Sequence, residues 1–230
     1  MKKINKLLET IGYEFRDRDL LTIALTHSSY ASEHRLGYEF NNERLEFIGD
    51  AYVDAVVGAR LFEIMSKAHE GILSRNRADV VCEESLAEAA RRIGLGDYIY
   101  LGKGEDSSGG RDKDSILADA FEALMGAIIL DGGYDAGRKV ILEMLDAKID
   151  LAVKGKLDKD FKTRLQEKLQ EADHRSRIKY TIVKEEGPDH NKTFTVELRV
   201  NDKVIGSGRG RSKAKAEQAA AEDALSKGLT

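Results

Sequence analysis

Acidic side chains recur at helical spacing in the segment NNERLEFIGDAYVDA, residues 41–55. Asn41 or Asn42 can cap a helix that begins near Glu43. At about 100° per residue, four acids then share an arc of about 80° on one face of this helix; they are Glu43, Glu46, Asp50 and Asp54. Carboxylates on one face either form a solvated surface stripe, in which like charges repel weakly, or line a cation site.

A second acidic pair, Asp119 and Glu122, lies one turn apart in the apolar segment ILADAFEALMGAIILDGG. An unpaired carboxylate is costly to bury, so this context predicts compensation by cations. Glu46 and Asp50 from the first segment would complete a set of hard oxygen ligands suited to Mg²⁺, with Mn²⁺ as a substitute. Two such cations can activate water and stabilise the in-line displacement that hydrolyses a phosphodiester.

The elements that must position these acids are helical. Through residues 1–150, apolar side chains recur at i, i+3 and i+4 spacing, which predicts a bundle of about seven amphipathic helices. Glycines such as Gly71, Gly94 and Gly132 mark the breaks between helices. The run GKGEDSSGG, residues 102–110, is predicted to be the most mobile loop.

Periodicity changes in the last third of the chain, where the order helix, three strands, helix is predicted. Phe161, Leu165 and Leu169 repeat at a four-residue step, which suits one buried helical stripe. Alternating apolar residues then indicate three strands, and Ser212 can cap the final helix. The expected fold is therefore multidomain, with an all-α domain followed by an α+β domain of order α-β-β-β-α.

Charge divides the chain at the same place. The formal net charge is -4, with 20 Lys and Arg against 28 Asp and Glu up to residue 155, and 17 against 13 beyond it. An acidic half suits cation binding, and a basic half suits contact with phosphates. We predict a helical domain over residues 1–150, a linker over 151–159 and a basic domain over 160–228.

Three segments of the acidic half resemble the ribonuclease III family: NNERLEFIGDA, HEGILSRNRADVVCEESLA and DSILADAFEALMGAIILDGGY, in that order. The resemblance implies an all-helical nuclease domain that forms a homodimer. It further implies that the metal-binding catalytic residues are Glu46, Asp50, Asp119 and Glu122. By the same resemblance, Glu43 and Glu70 are accessory acids that support the site or its dimer surroundings.

The basic half resembles the double-stranded-RNA-binding domain in FKTRLQEKLQ, GPDHNKTFTVEL and GSGRGRSKAKAEQAAAEDAL. Such domains read the shape of A-form RNA with little base specificity. The resemblance implies that Gln166 and Glu167 meet one minor groove, that His190 meets the next, and that Lys213 and Lys215 bind the phosphates between them. Ala214 interrupts the consecutive lysines usual in the family, which predicts somewhat weaker binding.

Together these features predict a magnesium-dependent endoribonuclease that cleaves double-stranded RNA. The resemblance further implies that it leaves 5′-phosphate and 3′-hydroxyl ends and that it processes ribosomal RNA precursors and other structured transcripts. Two other classes compete. A chain with the same domains could bind duplex RNA without cutting it, and a helical phosphohydrolase could act on small molecules. The intact set of acids disfavours the first. Missing His-Asp motifs and the unexplained residues 160–230 disfavour the second.

Two other residues are predicted to have only structural roles. The single cysteine, Cys82, is predicted to be a small buried thiol, and His27 a hydrogen-bonded structural histidine. No apolar run reaches the roughly 18 residues that a membrane span needs, and residues 1–15 contain no apolar leader core. A cytoplasmic protein is therefore expected.

Overall fold

The computed structural model describes residues 2–155, 161–172, 176–187 and 192–228. The chain divides into two compact units, Met1–Leu157 and Asp158–Thr230. The last helix of the first unit ends at Val153, so the first three residues of the predicted linker are helical. Linker residues 156–159 lie outside the described ranges.

Within residues 2–155, the first unit contains nine α-helices and no strand longer than an isolated bridge. Their bounds are α1 Lys2–Ile11, α2 Arg18–Ala24, α3 Ser28–Glu33, α4 Glu43–Ile64, α5 Glu70–Val81, α6 Glu83–Arg92, α7 Lys103–Ser107, α8 Asp114–Gly132 and α9 Tyr134–Val153. The predicted all-α architecture is confirmed. The structure has more helices than the seven or so that were predicted. Helices α3 and α7 are only six and five residues long, which is too short for an apolar period to reveal them.

Helix α8 occupies the centre of the first unit and packs against α2, α4, α6 and α9. Its apolar residues are almost all buried, and Phe121, Leu124, Met125 and Ile128 are inaccessible to solvent. Burial on all sides explains why this helix is apolar around most of its circumference. No helix in the described ranges combines the length and apolar composition needed to cross a membrane.

Helix α4 begins at Glu43, as its capping residues predict. The Asn41 side chain supplies the cap, because its Oδ1 accepts the backbone N–H of Glu43 at 3.1 Å. Asn42 occupies the cap position and makes no side-chain capping bond. Both asparagines are buried, so the start of the helix that carries Glu46 is held inside the fold.

The segment 102–110 was predicted to be a loop, and the structure contradicts that prediction. It contains α7, and hydrogen bonds attach both of its ends to the rest of the unit. Gly102 N–H donates to Ser29 Oγ at 3.0 Å, and Lys103 N–H donates to Glu33 Oε2 at 2.7 Å. Beyond its far end, the Arg111 guanidinium donates to two main-chain carbonyl oxygens, each at 2.9 Å. The prediction was wrong because polar hydrogen bonds, which leave no apolar period, hold the segment.

The predicted burial of Cys82 is also wrong. Its backbone is extended, with φ -66° and ψ 155°, and it is the one residue between α5 and α6. The side chain is exposed, so the prediction of a buried thiol was wrong. A residue at a sharp helix-to-helix junction sits outside the packed faces of both helices, whatever its hydrophobicity.

The second unit has the predicted order α-β-β-β-α. Its elements are α10 Phe161–Ala172, β1 Ile178–Glu186, β2 Thr193–Val200, β3 Lys203–Gly210 and α11 Lys213–Ser226. The strands form an antiparallel sheet of order β1-β2-β3. Asn201 and Asp202, both at positive φ, form the tight turn between β2 and β3. The Ser212 side chain caps α11 by accepting the Lys215 N–H, as predicted.

Close contact between β3 and α11 closes the core of this unit. The inward positions of β3 are glycines, and a Cβ added at Gly208 would lie 2.1 Å from the backbone nitrogen of Ala220. Opposite them in β2, Val196 and Leu198 pair with Gly208 and Gly206 and are fully buried. The helix therefore lies directly on the strand, and the larger side chains of β2 and α10 fill the space beside it.

Candidate metal centre and nucleic-acid interface

Helices α4 and α8 touch through their backbones at two glycines. A Cβ added at Gly49 would lie 1.9 Å from the carbonyl oxygen of Glu122, and one added at Gly126 would lie 2.3 Å from the carbonyl oxygen of Leu45. Only residues without a side chain permit helices to approach this closely. Since Glu46 lies one turn before Gly49, the crossing brings its side chain towards that of Glu122.

Three of the four predicted metal ligands meet at this crossing. Carboxylate oxygens of Glu46, Asp119 and Glu122 all lie within 4.8 Å of one another, and all three residues are half-buried. Asp50, one turn beyond Glu46 on α4, is exposed and is not part of this group. The structure thus combines one acid of the first segment with both acids of the second, and it leaves Asp50 at the rim.

Burial raises the pKa of each of these three carboxyls, and nearby negative charges raise it further. Burial is the main cause that raises the pKa of Glu122 to about 8, and the charges of Asp50, Glu46, Asp119 and Asp54 raise it further. For Glu46, burial again comes first, followed by the charges of Asp119, Glu43 and Asp50. Asp50 therefore acts on both glutamates electrostatically although it lies outside their group.

Asp119 differs from its neighbours because a histidine lies nearby. Burial raises the pKa of Asp119, the charge of His27 opposes that rise, and the charge of Glu83 adds to it. Glu83 begins α6 and was not singled out by its sequence pattern. Spacing along the sequence could not identify Glu83 as a charge that acts on Asp119, because the packing of α6 on α8 brings the two helices together.

These residues fit a hard divalent cation. The cluster offers oxygen atoms alone, and closely spaced negative charges that the protein leaves partly uncompensated. A divalent cation would neutralise two of those charges and relieve the repulsion that raises their pKa values. Carboxylates that gain a cation also release protons, so cation binding and deprotonation of Glu122 should be coupled.

The predicted accessory acids lie outside the cluster. Glu43, in the first turn of α4, is exposed and acts on Glu46 through its charge. Glu70, the first residue of α5, is exposed and accepts a hydrogen bond from Ser74 Oγ at 2.7 Å. Asp54 pairs with Arg77, whose Nε lies 3.8 Å from its Oδ2. The structure brings none of these three residues into the group formed by Glu46, Asp119 and Glu122.

In the second unit, the predicted RNA-binding residues lie on α10 and at the start of α11. Gln166 is exposed and lines a groove of about 340 Å³ between α10 and β1. Lys213 and Lys215 are exposed at the beginning of α11, with Lys213 Nζ 5.8 Å from the ring centroid of Phe194. Ala214 between them is also exposed, so it occupies a position where a lysine would reach solvent.

Two of the predicted RNA-binding groups cannot be placed. The side chain of Glu167 and the whole of His190 lie outside the described residues. Their assignment stays a prediction. His27, by contrast, is a hydrogen-bonded histidine as predicted, because its Nδ1 accepts the backbone N–H of Ser29 at 3.2 Å.

Comparison with known protein families finds two matches that together cover most of the chain. Residues 17–149 match a family described as ribonuclease-III-like, and residues 161–227 match the double-stranded RNA binding motif. The first match covers all four predicted metal ligands, and the second covers Gln166, Lys213 and Lys215.

Two ribonuclease 3 proteins match this chain over nearly its whole length, and a solved nuclease domain matches part of it. Ribonuclease 3 of Caldanaerobacter subterraneus subsp. tengcongensis is 51% identical over 96% of this chain and 96% of its own. Ribonuclease 3 of Pelotomaculum thermopropionicum is 47% identical over 98% of this chain and 93% of its own. A solved nuclease domain of ribonuclease III from Campylobacter jejuni, described as flexible in a region involved in dimer formation, is 43% identical with a TM-score of 0.59, over 63% of this chain and 97% of its own.

The glycine crossing predicts that Gly49→Ala is strongly destabilising. Its Cβ would overlap the Glu122 carbonyl, so α4 and α8 must separate. We expect a loss of about 2–4 kcal/mol in the free energy of unfolding, measured by urea titration. Gly58→Ala on the same helix is the matched control, since its Cβ would lie 3.4 Å from the Arg77 side chain and alanine favours the helix. Equal stabilities of the two variants would contradict the crossing.

The raised pKa of Glu122 predicts a pH-dependent stability in the absence of divalent cations. Between the unfolded pKa near 4.5 and the folded pKa of about 8, the folded protein binds more protons, so stability falls as pH rises. Glu122→Gln removes the contribution of Glu122 to this dependence. We expect the variant to gain about 1–3 kcal/mol relative to the original protein between pH 5 and pH 8. Urea unfolding in EDTA at both pH values measures the difference, and a difference that stays constant with pH would refute the prediction.

Proposed function

This chain belongs to the ribonuclease III family, and from that premise we propose that it is an endoribonuclease that cleaves double-stranded RNA by cation-assisted hydrolysis. The observation that carries the proposal is the convergence of Glu46, Asp119 and Glu122 within 4.8 Å at the crossing of α4 and α8. A duplex-RNA-binding motif in the same chain supplies the matching substrate class.

We propose Mg²⁺ as the cation, with Mn²⁺ as a substitute. Both are hard ions that prefer carboxylate and water ligands, and the cluster contains no nitrogen or sulfur ligand. Glu46, Asp119 and Glu122 would hold one cation, and Asp50 at the rim would join Glu46 and Glu122 in holding a second. Cations bound there would supply an activated water and would stabilise negative charge on the phosphate.

The proposed reaction is an in-line hydrolysis. Water attacks the phosphorus atom, the bond from phosphorus to the 3′-oxygen breaks, and that oxygen takes a proton. The products are a 5′-phosphate and a 3′-hydroxyl. Glu46 and Glu122 are half-buried in the fold, and Asp50 is exposed to the solvent from which RNA must approach. Preorganised groups of this kind lower the barrier without having to reorient during the reaction.

The second unit would hold the duplex. Gln166 on α10 would enter a minor groove, and Lys213 and Lys215 at the start of α11 would meet phosphates, with Glu167 and His190 completing the surface as the family resemblance implies. The N-terminus of α11 adds its own attraction for phosphate. Because the first unit is acidic, it needs a basic partner to bring RNA to its carboxylates.

A homodimer formed through the nuclease domain follows from the two strands of the substrate. One cluster can hydrolyse one phosphodiester at a time, whereas cutting both strands of an A-form helix requires two facing sites. The first unit offers a surface suited to self-association. Phe47, next to Glu46 on α4, is 78% exposed and borders a groove of about 610 Å³. The apolar residues of that groove are Leu20, Ile23, Leu45, Ile48 and Leu130.

Cytoplasmic processing of ribosomal RNA precursors and other structured transcripts stays a prediction from the sequence. The main alternative is a protein that binds duplex RNA without cutting it. The converging acids favour the enzyme, because a binding protein gains nothing from burying carboxylates that repel one another and the RNA.

Glu122→Gln should abolish cutting while leaving RNA binding intact. The substitution keeps the shape of the side chain and removes one ligand charge, so we expect cleavage of a labelled duplex to slow by about 10²–10⁴-fold at saturating Mg²⁺. The dissociation constant for the duplex, measured with Ca²⁺ or EDTA, should change little. Asp114→Asn removes the same charge from the same helix outside the cluster and should cut normally. Cleavage by Glu122→Gln at the original rate would remove Glu122 from the centre.

Phe47→Ser should weaken the dimer. In a two-fold interface each substitution occurs twice, and burying one phenylalanine is worth about 1.5–3 kcal/mol, so the dimer dissociation constant should rise by about 10²–10⁴-fold. Sedimentation equilibrium measures this change. Phe62→Ser is the control, because Phe62 lies on the same helix, is 71% exposed and does not line the groove. A similar effect of both substitutions, or of neither, would count against this interface.

A further inference from the structure

The two helices of the second unit that carry predicted RNA contacts, α10 and α11, are joined by an ion pair. Lys162, in the first turn of α10, donates from its Nζ to Glu217 Oε2 on α11 at 2.5 Å. The two side chains are only 37% and 27% exposed, so water and salt screen the pair less than a fully exposed one. A charge-assisted hydrogen bond therefore ties the beginnings of the two helices together.

Two further contacts hold the same lysine. Its backbone N–H, which lies in the first turn and has no acceptor within its own helix, donates to Gln218 Oε1 on α11 at 3.1 Å. Its Nζ lies 4.8 Å from the ring centroid of Tyr180 on β1, close enough for the ring to attract the ammonium group. Lys162 thus contacts α11 twice and the sheet once, through both its backbone and its side chain.

Each member of the ion pair lies one helical turn from a predicted RNA contact. On α10, Gln166 follows Lys162 by four residues, and both residues line the groove between α10 and β1. On α11, Glu217 follows Lys213 by four residues. Side chains four residues apart share one face of a helix. The ion pair therefore links the part of α10 that carries Gln166 to the part of α11 that carries Lys213.

A duplex requires the separation of these two parts to be fixed. A-form RNA presents its minor groove and the phosphates that border its major groove at distances set by the RNA helix itself. A protein that meets both must therefore hold its two contact elements at the matching distance. If the elements could shift, binding would have to order them, and that ordering lowers the affinity.

We propose that Lys162 and Glu217 are positioning residues for duplex RNA, and that their ion pair holds Gln166 and Lys213 at the separation that the minor groove and the neighbouring phosphates require. The inference rests on the RNA surface of the proposed function. Glu217 carries the sign of charge that phosphates repel, so it acts through the helices and not by contact with the RNA backbone.

Glu217→Ala distinguishes positioning from simple charge. Loss of a negative charge beside the RNA surface would by itself strengthen binding, whereas loss of the link between the helices should weaken it. We expect the dissociation constant for a duplex of about 16 base pairs or more to rise by about 5–20-fold. The constant is measured for the full chain in EDTA, by fluorescence anisotropy of labelled duplex.

Two variants serve as controls for Glu217→Ala. Glu222→Ala removes the same charge from an exposed position of the same helix, and it should bind the duplex as tightly as the original protein or more tightly. Glu217→Gln keeps an oxygen that can accept the hydrogen bond from Lys162, so its affinity should stay within about threefold of the original. Thermal unfolding of each variant establishes that binding is measured on folded protein.

Lys162→Met tests the other member of the pair. It removes the ammonium group and keeps an apolar chain beside Tyr180, and we expect binding to weaken by about 5–20-fold. Lys168→Met removes the same charge from an exposed position on α10, about 200° around the helix from Gln166, and should weaken binding by only about twofold. The double variant of Lys162→Met and Glu217→Ala should bind no more weakly than the weaker single variant, because either change alone breaks the link.

Folded Glu217→Ala that binds the duplex as tightly as the original protein would overturn the proposal, and weak binding by Lys162→Met alone would then mark Lys162 as a direct phosphate contact. If Glu217→Ala is unfolded at the assay temperature, the two lysine variants decide, and equal effects of both overturn the proposal. Lys213→Ala is measured in parallel. Unchanged binding by that variant would refute the RNA surface of the proposed function, whereas weakened binding by Lys213→Ala with unchanged binding by Glu217→Ala would refute the positioning role alone.

Discussion

The backbone contact between α4 and α8 is the constraint on which the acidic centre depends. Gly49 and Gly126 let the two helices approach until a Cβ on either would overlap a carbonyl oxygen of the other. Glu46 and Glu122 each precede one of these glycines by about a turn, so the crossing forces their carboxylates together. A wider separation of the helices would move these two carboxylates apart.

Bringing these carboxylates together is unfavourable for the protein alone. Burial raises the pKa values of Glu46, Asp119 and Glu122, and nearby negative charges raise them further, so the folded chain favours binding of protons or cations there. The rest of the first unit opposes this repulsion. The buried core around α8 and the hydrogen bond from the Asn42 N–H to the Thr26 carbonyl oxygen hold the helices in place.

The second unit uses small residues for a different purpose. Glycines of β3 allow α11 to lie directly on the sheet, and the beginning of α11 then presents Lys213 and Lys215 to solvent. Its net positive charge contrasts with the acidic first unit. The acidic first unit thus has the charge that cations require, and the basic second unit has the charge that phosphates require. Neither surface could bind both ligands.

Local signals in the sequence determined much of this protein: the capped start of α4, the helical first unit, the α-β-β-β-α order of the second, and the acids that share a helix face. These features depend on neighbouring residues, through backbone hydrogen bonds and apolar period. Only tertiary structure decided that Glu46, Asp119 and Glu122 form one group with Asp50 at its rim, that Cys82 is exposed, and that α7 is held by Ser29 and Glu33. The hydrogen bonds to Ser29 and Glu33 join residues some 70 positions apart. The packing of whole helices brings such residues together, and residue spacing along a single helix does not predict that packing.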